Sequence, residues 1–177
     1  MLNLKECEQV IEYSQKLNTT NLSPLRSGNI SVRGIQNEVE GFFITPSGKK
    51  YETLKPNDII FLSLNEEKDF LSWFNSGKNP SSEWRFHQDI YKNKWEAKAI
   101  VHAHSPHATA VSSHREAIPA FHYMIALAGG DDIKCSKYAT FGTNELSLNI
   151  IKALEKRKAC LMSNHGQVAF GKNLSTA

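Results

Sequence analysis

Ala99-Ile100-Val101-His102-Ala103-His104-Ser105-Pro106 reads as a short apolar strand running into a helix start. Side chains alternate across a strand, so residues two apart project to the same side, about 7 Å apart along the chain. His102 and His104 can therefore converge on one ion, while Ala103 turns to the opposite packing layer. Ile100, Val101 and Ala103 have core character. The competing reading is two unrelated polar residues on an exposed strand face. The same pair opens the H-x-H-x-D-H signature of dinuclear zinc hydrolases, but Pro106 stands where that signature needs aspartate. Proline cannot ligate, which argues against a dinuclear site, and His107 reads as a residue of the first turn of the following helix.

Upstream, Asn79-Pro80-Ser81-Ser82 forms a helix start before Glu83-Trp84-Arg85-Phe86-His87-Gln88-Asp89-Ile90-Tyr91, where Trp84, His87 and Ile90/Tyr91 share a face. Cys7, Val10, Ile11, Ser14 and Leu17 give residues 5–17 a helical stripe. Residues 30–33 and 41–44 read as strands, and 59–64 as a strand apolar enough to be buried on both faces. Downstream, Leu146, Ile150, Ala153 and Leu154 mark a helix over 143–156. Strands 159–162 and 167–170 flank the turn Ser163-Asn164-His165-Gly166. This irregular alternation predicts a layered α/β domain with a mixed sheet.

The chain has 177 residues, enough for one domain with a full core. Its net charge of +3 is too small and too evenly spread to point to nucleic acid or an anionic membrane. No apolar run approaches the roughly 20 residues that cross a bilayer, and charges interrupt the first residues where a signal peptide would be apolar. Cys7, Cys135 and Cys160 lie far apart without a C-x-x-C pair, so a metal site must use His and carboxylates. A soluble protein of the cytoplasm is expected.

Three imidazoles leave a fourth zinc position open, the arrangement of a catalytic site, and His165 in its turn is the third candidate. As a turn residue it also reads simply as solvated surface. Glu83 is the carboxylate to add; in a first helical turn it would equally serve the helix dipole. Ser81 and Ser82 either cap that helix or, with its free N–H groups, hold an anion. The turns Ser27-Gly28-Asn29 and Thr45-Pro46-Ser47-Gly48 could add further N–H groups. Neither a P-loop nor a dinucleotide fingerprint is present, so a small phosphorylated metabolite suits such a site better than a nucleotide.

Taken together, the segments Ser-Gly-Asn-Ile-Ser-Val-Arg (27–33), Ile-Thr-Pro-Ser-Gly (44–48), Pro-Ser-Ser-Glu-Trp-Arg-Phe-His (80–87), Val-His-Ala-His (101–104), Phe-His-Tyr-Met-Ile-Ala (121–126), Tyr-Ala-Thr-Phe-Gly-Thr (138–143) and Asn-His-Gly (164–166) resemble the class II aldolase/adducin family, and within it the L-fuculose-1-phosphate aldolase branch. The resemblance implies a single-domain three-layer α/β/α fold with a central, mostly antiparallel (mixed) sheet, assembled as a homotetramer with active sites at subunit interfaces. It implies Zn2+ held by His102, His104 and His165, with Glu83 as catalytic residue and additional ligand. Gly28, Asn29, Ser47, Gly48, Ser81 and Ser82 match substrate and phosphate contacts. Tyr123 matches a proton donor that reaches a neighbouring subunit's site.

The implied reaction is cleavage of a deoxyketose 1-phosphate, such as L-fuculose 1-phosphate or a 5-deoxypentulose 1-phosphate, to dihydroxyacetone phosphate and L-lactaldehyde or acetaldehyde. Pentulose-phosphate 4-epimerases and methylthioribulose-phosphate dehydratases of the same superfamily are the alternatives, together with a non-catalytic adducin-like interaction domain. Family members continue beyond the position of Lys172-Asn173-Leu174 through a helix and tail, which this chain is expected to lack.

Overall fold

In the computed structural model, which describes residues 3–67, 73 and 77–177, the 99–103 run becomes the central strand of a seven-stranded sheet. The strands are β1 (Asn29–Gln36), β2 (Val39–Ile44), β3 (Ile60–Ser63), β4 (Ala99–Ala103), β5 (Cys135–Ser136), β6 (Ala159–Met162) and β7 (Gly166–Gly171). Their order is β3-β2-β1-β4-β7-β6-β5. Every neighbouring pair is antiparallel except β5–β6, which is parallel. The expected mixed, mostly antiparallel sheet is therefore present.

Two-residue alternation sends the side chains of these strands into two separate cores. On one face, Ile30, Phe43, Ala99 and Ala103 meet Cys7, Val10 and Leu17 of helix α1 (Leu4–Thr19). On the other, Phe42, Ile44, Ile100, Val168 and Phe170 meet helices α2 (Trp84–Asn93) and α4 (Asn144–Ala153). Phe86, Ile90 and Tyr91 face inward from α2; Leu146, Ile150 and Ala153 do so from α4. The result is an α/β/α sandwich. Burying each large aliphatic or aromatic side chain contributes about 1.5–3 kcal/mol, and truncating Ile100 to alanine at its centre would cost about 2–5 kcal/mol.

Three local expectations are refined. The 59–64 run lies at the sheet edge and still meets both cores, with Ile60 and Leu62 buried in one and buried Ile59 and half-buried Phe61 against the other. Phe61 packs on the Phe43 ring at 5.1 Å within that second core. The helix read from Glu83 starts at Trp84, with Glu83 in the capping position. The short helix α3 (Pro106–Ser112) starts after Ser105, but the Ser105 hydroxyl does not cap it; that oxygen accepts from Gln167 Nε2 instead. The two-residue strand β5 is too short to leave a period in the sequence. Among the described residues, no helix is long and apolar enough to cross a membrane.

Candidate active site

β4 delivers His102 to the α2/α4 face, on the same side as Ile100, and His104 follows just past the strand end. His102 is fully buried, with its ring edge-on to Phe86 at 5.6 Å. The hairpin between β6 and β7 supplies His165. Asn164 takes the left-handed conformation (φ 53°), and His165 N–H bonds back to the Met162 carbonyl at 3.0 Å. Ser112 of α3 anchors this turn: its carbonyl accepts from Asn164 N, and its hydroxyl from His165 N. Gly166 then lets β7 pass close to β4, because a Cβ there would meet the Ala103 carbonyl oxygen at 2.5 Å.

Glu83 arrives from the opposite layer, at the mouth of α2. Its side chain does not cap that helix. The carboxylate instead turns into the sheet, with Oε2 3.1 Å from His102 Nε2 and Oε1 3.3 Å from His165 Nε2. The Nε2 atoms of His104 and His102 lie 2.9 Å apart, and the three imidazoles stand edge to face with centroids 4.7–4.9 Å apart. One ligating atom from each of Glu83, His102, His104 and His165 lies within 4.8 Å of all the others. His107 is exposed in α3, away from this group.

The electrostatics follow from burial and mutual contact. Burial pushes the Glu83 carboxyl up, but His102, His165 and the Asn29 amide outweigh it and hold the carboxyl at about 2. Burial lowers His102, yet the Glu83 charge, its hydrogen bond and the Gln167 carbonyl raise this imidazole above its ordinary value. Burial, reinforced by the neighbouring imidazoles, depresses His104 and His165 to about 4, so both are neutral near pH 7.

This donor set fits a divalent metal. His102 Nδ1 donates to the Gln167 carbonyl at 2.8 Å, which fixes the ring and aims Nε2 inward. Glu83 Oε1 is buried without a hydrogen-bond partner among the described residues. Three imidazole nitrogens and one carboxylate oxygen in a single cluster match zinc-type coordination chemistry.

Two clefts share Ser27, Ser82 and Glu83. The first, about 220 Å3, is lined by Gly28, Asn29, Ser47, Gly48, Ser81 and Ser82, so the six positions matched to substrate contacts surround one space. Lys49 also lines it and was not singled out by motif; its ammonium pairs with Asp58 at 2.6 Å. The second, about 320 Å3, adds His104, His165, Tyr138 and Phe141. A larger hollow of about 700 Å3 beside β3 contains none of the four ligating residues, so chemistry and not size identifies the site. Tyr123 stands apart from the cluster, 83% exposed, at the start of a 3-10 turn (Tyr123–Ala128). Sequence reading also missed His87, Ser31, Tyr91 and Gln167, whose polar contacts lie behind the ligating groups.

The family model for the class II aldolase and adducin N-terminal domain matches residues 8–177. The chain is 43% identical over 168 residues to a 5-methylthioribulose-1-phosphate/5-deoxyribulose-1-phosphate aldolase of Rhodospirillum rubrum, covering 95% of this chain and 72% of that protein. It is 43% identical over 173 residues to the L-fuculose phosphate aldolase of Escherichia coli K12, covering 98% and 76%. A solved L-fuculose 1-phosphate aldolase superposes over all of this chain and 80% of its own, with a TM-score of 0.87 and 38% identity.

Proposed function

Because the chain belongs to the class II aldolase and adducin family, we propose that it is a zinc-dependent aldolase that cleaves a deoxyketose 1-phosphate. Dihydroxyacetone phosphate and a short aldehyde are the products. The observation that carries this reading is the Glu83–His102–His104–His165 cluster, with Glu83 and His102 buried and His104 and His165 half-buried, opening onto two small clefts that share Glu83. Zinc there would supply Lewis-acid stabilisation of the negative charge that develops on the dihydroxyacetone phosphate half.

The chain's own groups divide the remaining work. In cleavage, the C4 hydroxyl loses its proton, the C3–C4 bond breaks, and its electron pair stays with the dihydroxyacetone phosphate half. Glu83, next to the ligating histidines, is placed to take up a proton from solvent and pass it to C3 once the bond has broken. The backbone and hydroxyl groups of Gly28, Asn29, Ser47, Gly48, Ser81 and Ser82 anchor the phosphate, a non-reacting part of the substrate, and so orient the reacting carbons. Exposed Tyr123, beside exposed Phe121, Met124 and Leu127, suits a group offered to a neighbouring subunit of a cytoplasmic homotetramer, where it takes the proton that the C4 hydroxyl loses in cleavage and donates it back in the reverse direction.

L-Fuculose 1-phosphate and 5-deoxyribulose 1-phosphate are the substrates to test first. The Rhodospirillum relative is also named for 5-methylthioribulose 1-phosphate, which adds that sugar as a third substrate. The test is release of dihydroxyacetone phosphate, followed by a coupled dehydrogenase, from zinc-loaded protein with each of the three. Cleavage of at least one is expected. No cleavage of any by protein carrying one zinc per chain would overturn the aldolase reading and leave the epimerase, the dehydratase and the non-catalytic, adducin-like role.

A further inference from the structure

Behind Glu83 runs a buried line of polar groups from α2 and β1. Asn29 Nδ2 donates to Glu83 Oε2 at 2.9 Å, which only that orientation of the carboxamide allows, because an ionised carboxylate can only accept. Asn29 Oδ1 then faces His87 Nε2 at 2.5 Å, so this nitrogen must carry the ring proton. Burial keeps His87 neutral, with its value pushed down to about 3, and a neutral imidazole has one N–H. His87 Nδ1 is therefore the acceptor, and Ser31 Oγ donates to it at 2.7 Å. With its hydrogen committed, Ser31 Oγ accepts from the Tyr91 hydroxyl at 2.8 Å. Every donor in the series has one acceptor, and the direction of each bond is fixed by the next.

We propose that His87 is a positioning residue which, braced by Ser31 and Tyr91, locks the Asn29 carboxamide with its amide toward Glu83 and so fixes the carboxylate against the three histidines. Side chains on one face of α2 explain the reach: Glu83, His87 and Tyr91 follow one another at four-residue spacing, while Asn29 and Ser31 project from β1 two residues apart. Without the His87 proton, Asn29 can rotate by half a turn and present its carbonyl to the carboxylate, a repulsive arrangement. The catalytic consequence rests on the aldolase reading; the geometric one does not.

Two substitutions separate positioning from mere filling of space. His87→Gln keeps an N–H near the Nε2 position and so keeps the Asn29 lock. His87→Asn keeps only the Ser31 side and leaves the Asn29 carbonyl unpaired. Zinc affinity of the full chain is read by competition with a chromophoric chelator, and kcat and KM by the cleavage assay. His87→Asn is expected to lower zinc affinity and kcat by about 10- to 100-fold with KM nearly unchanged, whereas His87→Gln stays within about threefold of the parent. Equal losses in both variants, or none in either, would overturn the proposal. If His87→Asn does not fold, Ser31→Ala replaces it. That variant should lower zinc affinity in the same direction, and an unchanged affinity would be equally fatal. If the parent cleaves no ketose phosphate, the aldolase reading fails, while the zinc titrations still decide the role of His87.

Discussion

Asn29 and His102 stand opposite each other in the β1–β4 ladder, and Glu83 reaches from the helical layer to touch both. An antiparallel pair points its two side chains to the same face of the sheet. The carboxylate is thereby held between an amide and an imidazole that belong to neighbouring strands. Its ionised state is a property of the sheet register as much as of its own position in α2.

Glu83→Gln tests what that charge does. The substitution keeps shape but removes the negative charge and the proton-carrying group. Cleavage should fall by about 10²- to 10⁴-fold, the range for losing a positioned acid–base group. The histidines should still hold zinc, more weakly than in the parent. Metal content and turnover measured on the same sample separate the two effects.

His104→Ala and His107→Ala make a contrast that the strand–helix junction creates. The two histidines are three residues apart, but His104 faces the cluster and His107 is exposed in α3. Purified His104→Ala should lose most of its zinc and its activity, while His107→Ala should keep about one zinc per chain. Loss of zinc in the His107 variant would show that the ion is held elsewhere.

The H-x-H pair was legible because strand periodicity alone decides that residues 102 and 104 share a face. His165 and Glu83 were nameable only through the motifs around them, since a turn histidine and a helix-start glutamate have ordinary roles of their own. His87 carried no signal beyond helical spacing with Trp84. Its meaning depends on the placement of β1 against α2, and Ser31 and Asn29 lie 56 and 58 residues away in sequence. Local periodicity holds no information on contacts that distant. The same limit hid the edge position of β3 and the bond from Gln167 that draws the Ser105 hydroxyl into use away from its helix.

Acid should destabilise the metal-free protein, and the sign follows from four imidazoles. His87 is depressed to about 3, and His104 and His165 to about 4, from 6.5 in the unfolded chain. Between those values the unfolded state binds more protons, so stability falls as pH drops below about 6.5. Fully buried His87 carries the largest share, and the partly exposed pair less. His102 is raised, so its contribution is complete below 6.5 and is lost only as pH rises through its folded value. Glu83, held at about 2, withdraws its own contribution later, between 4.5 and 2. Melting of chelator-treated protein should therefore shift to lower temperature from pH 7 to pH 5. A flat or rising profile would contradict this assignment of protons.

Gly166→Ala should loosen the site without replacing a ligand. The new methyl would lie 2.5 Å from the Ala103 carbonyl oxygen and 3.2 Å from His104 Cδ2. Backbone cannot swing aside as a flexible side chain would, so the start of β7 must move away from the end of β4. That seam is where His104 and His165 approach each other, and Ser112 ties the turn to α3 from behind. The strain should cost about 1–3 kcal/mol of stability, read as a lower melting temperature. Zinc affinity should drop by about tenfold, because small displacements of ligands weaken a site whose geometry is set in advance. If the melting temperature falls and zinc affinity does not, the β6–β7 hairpin adjusts independently of the metal cluster, and the placement of His165 owes more to Ser112 than to the closeness of the two strands.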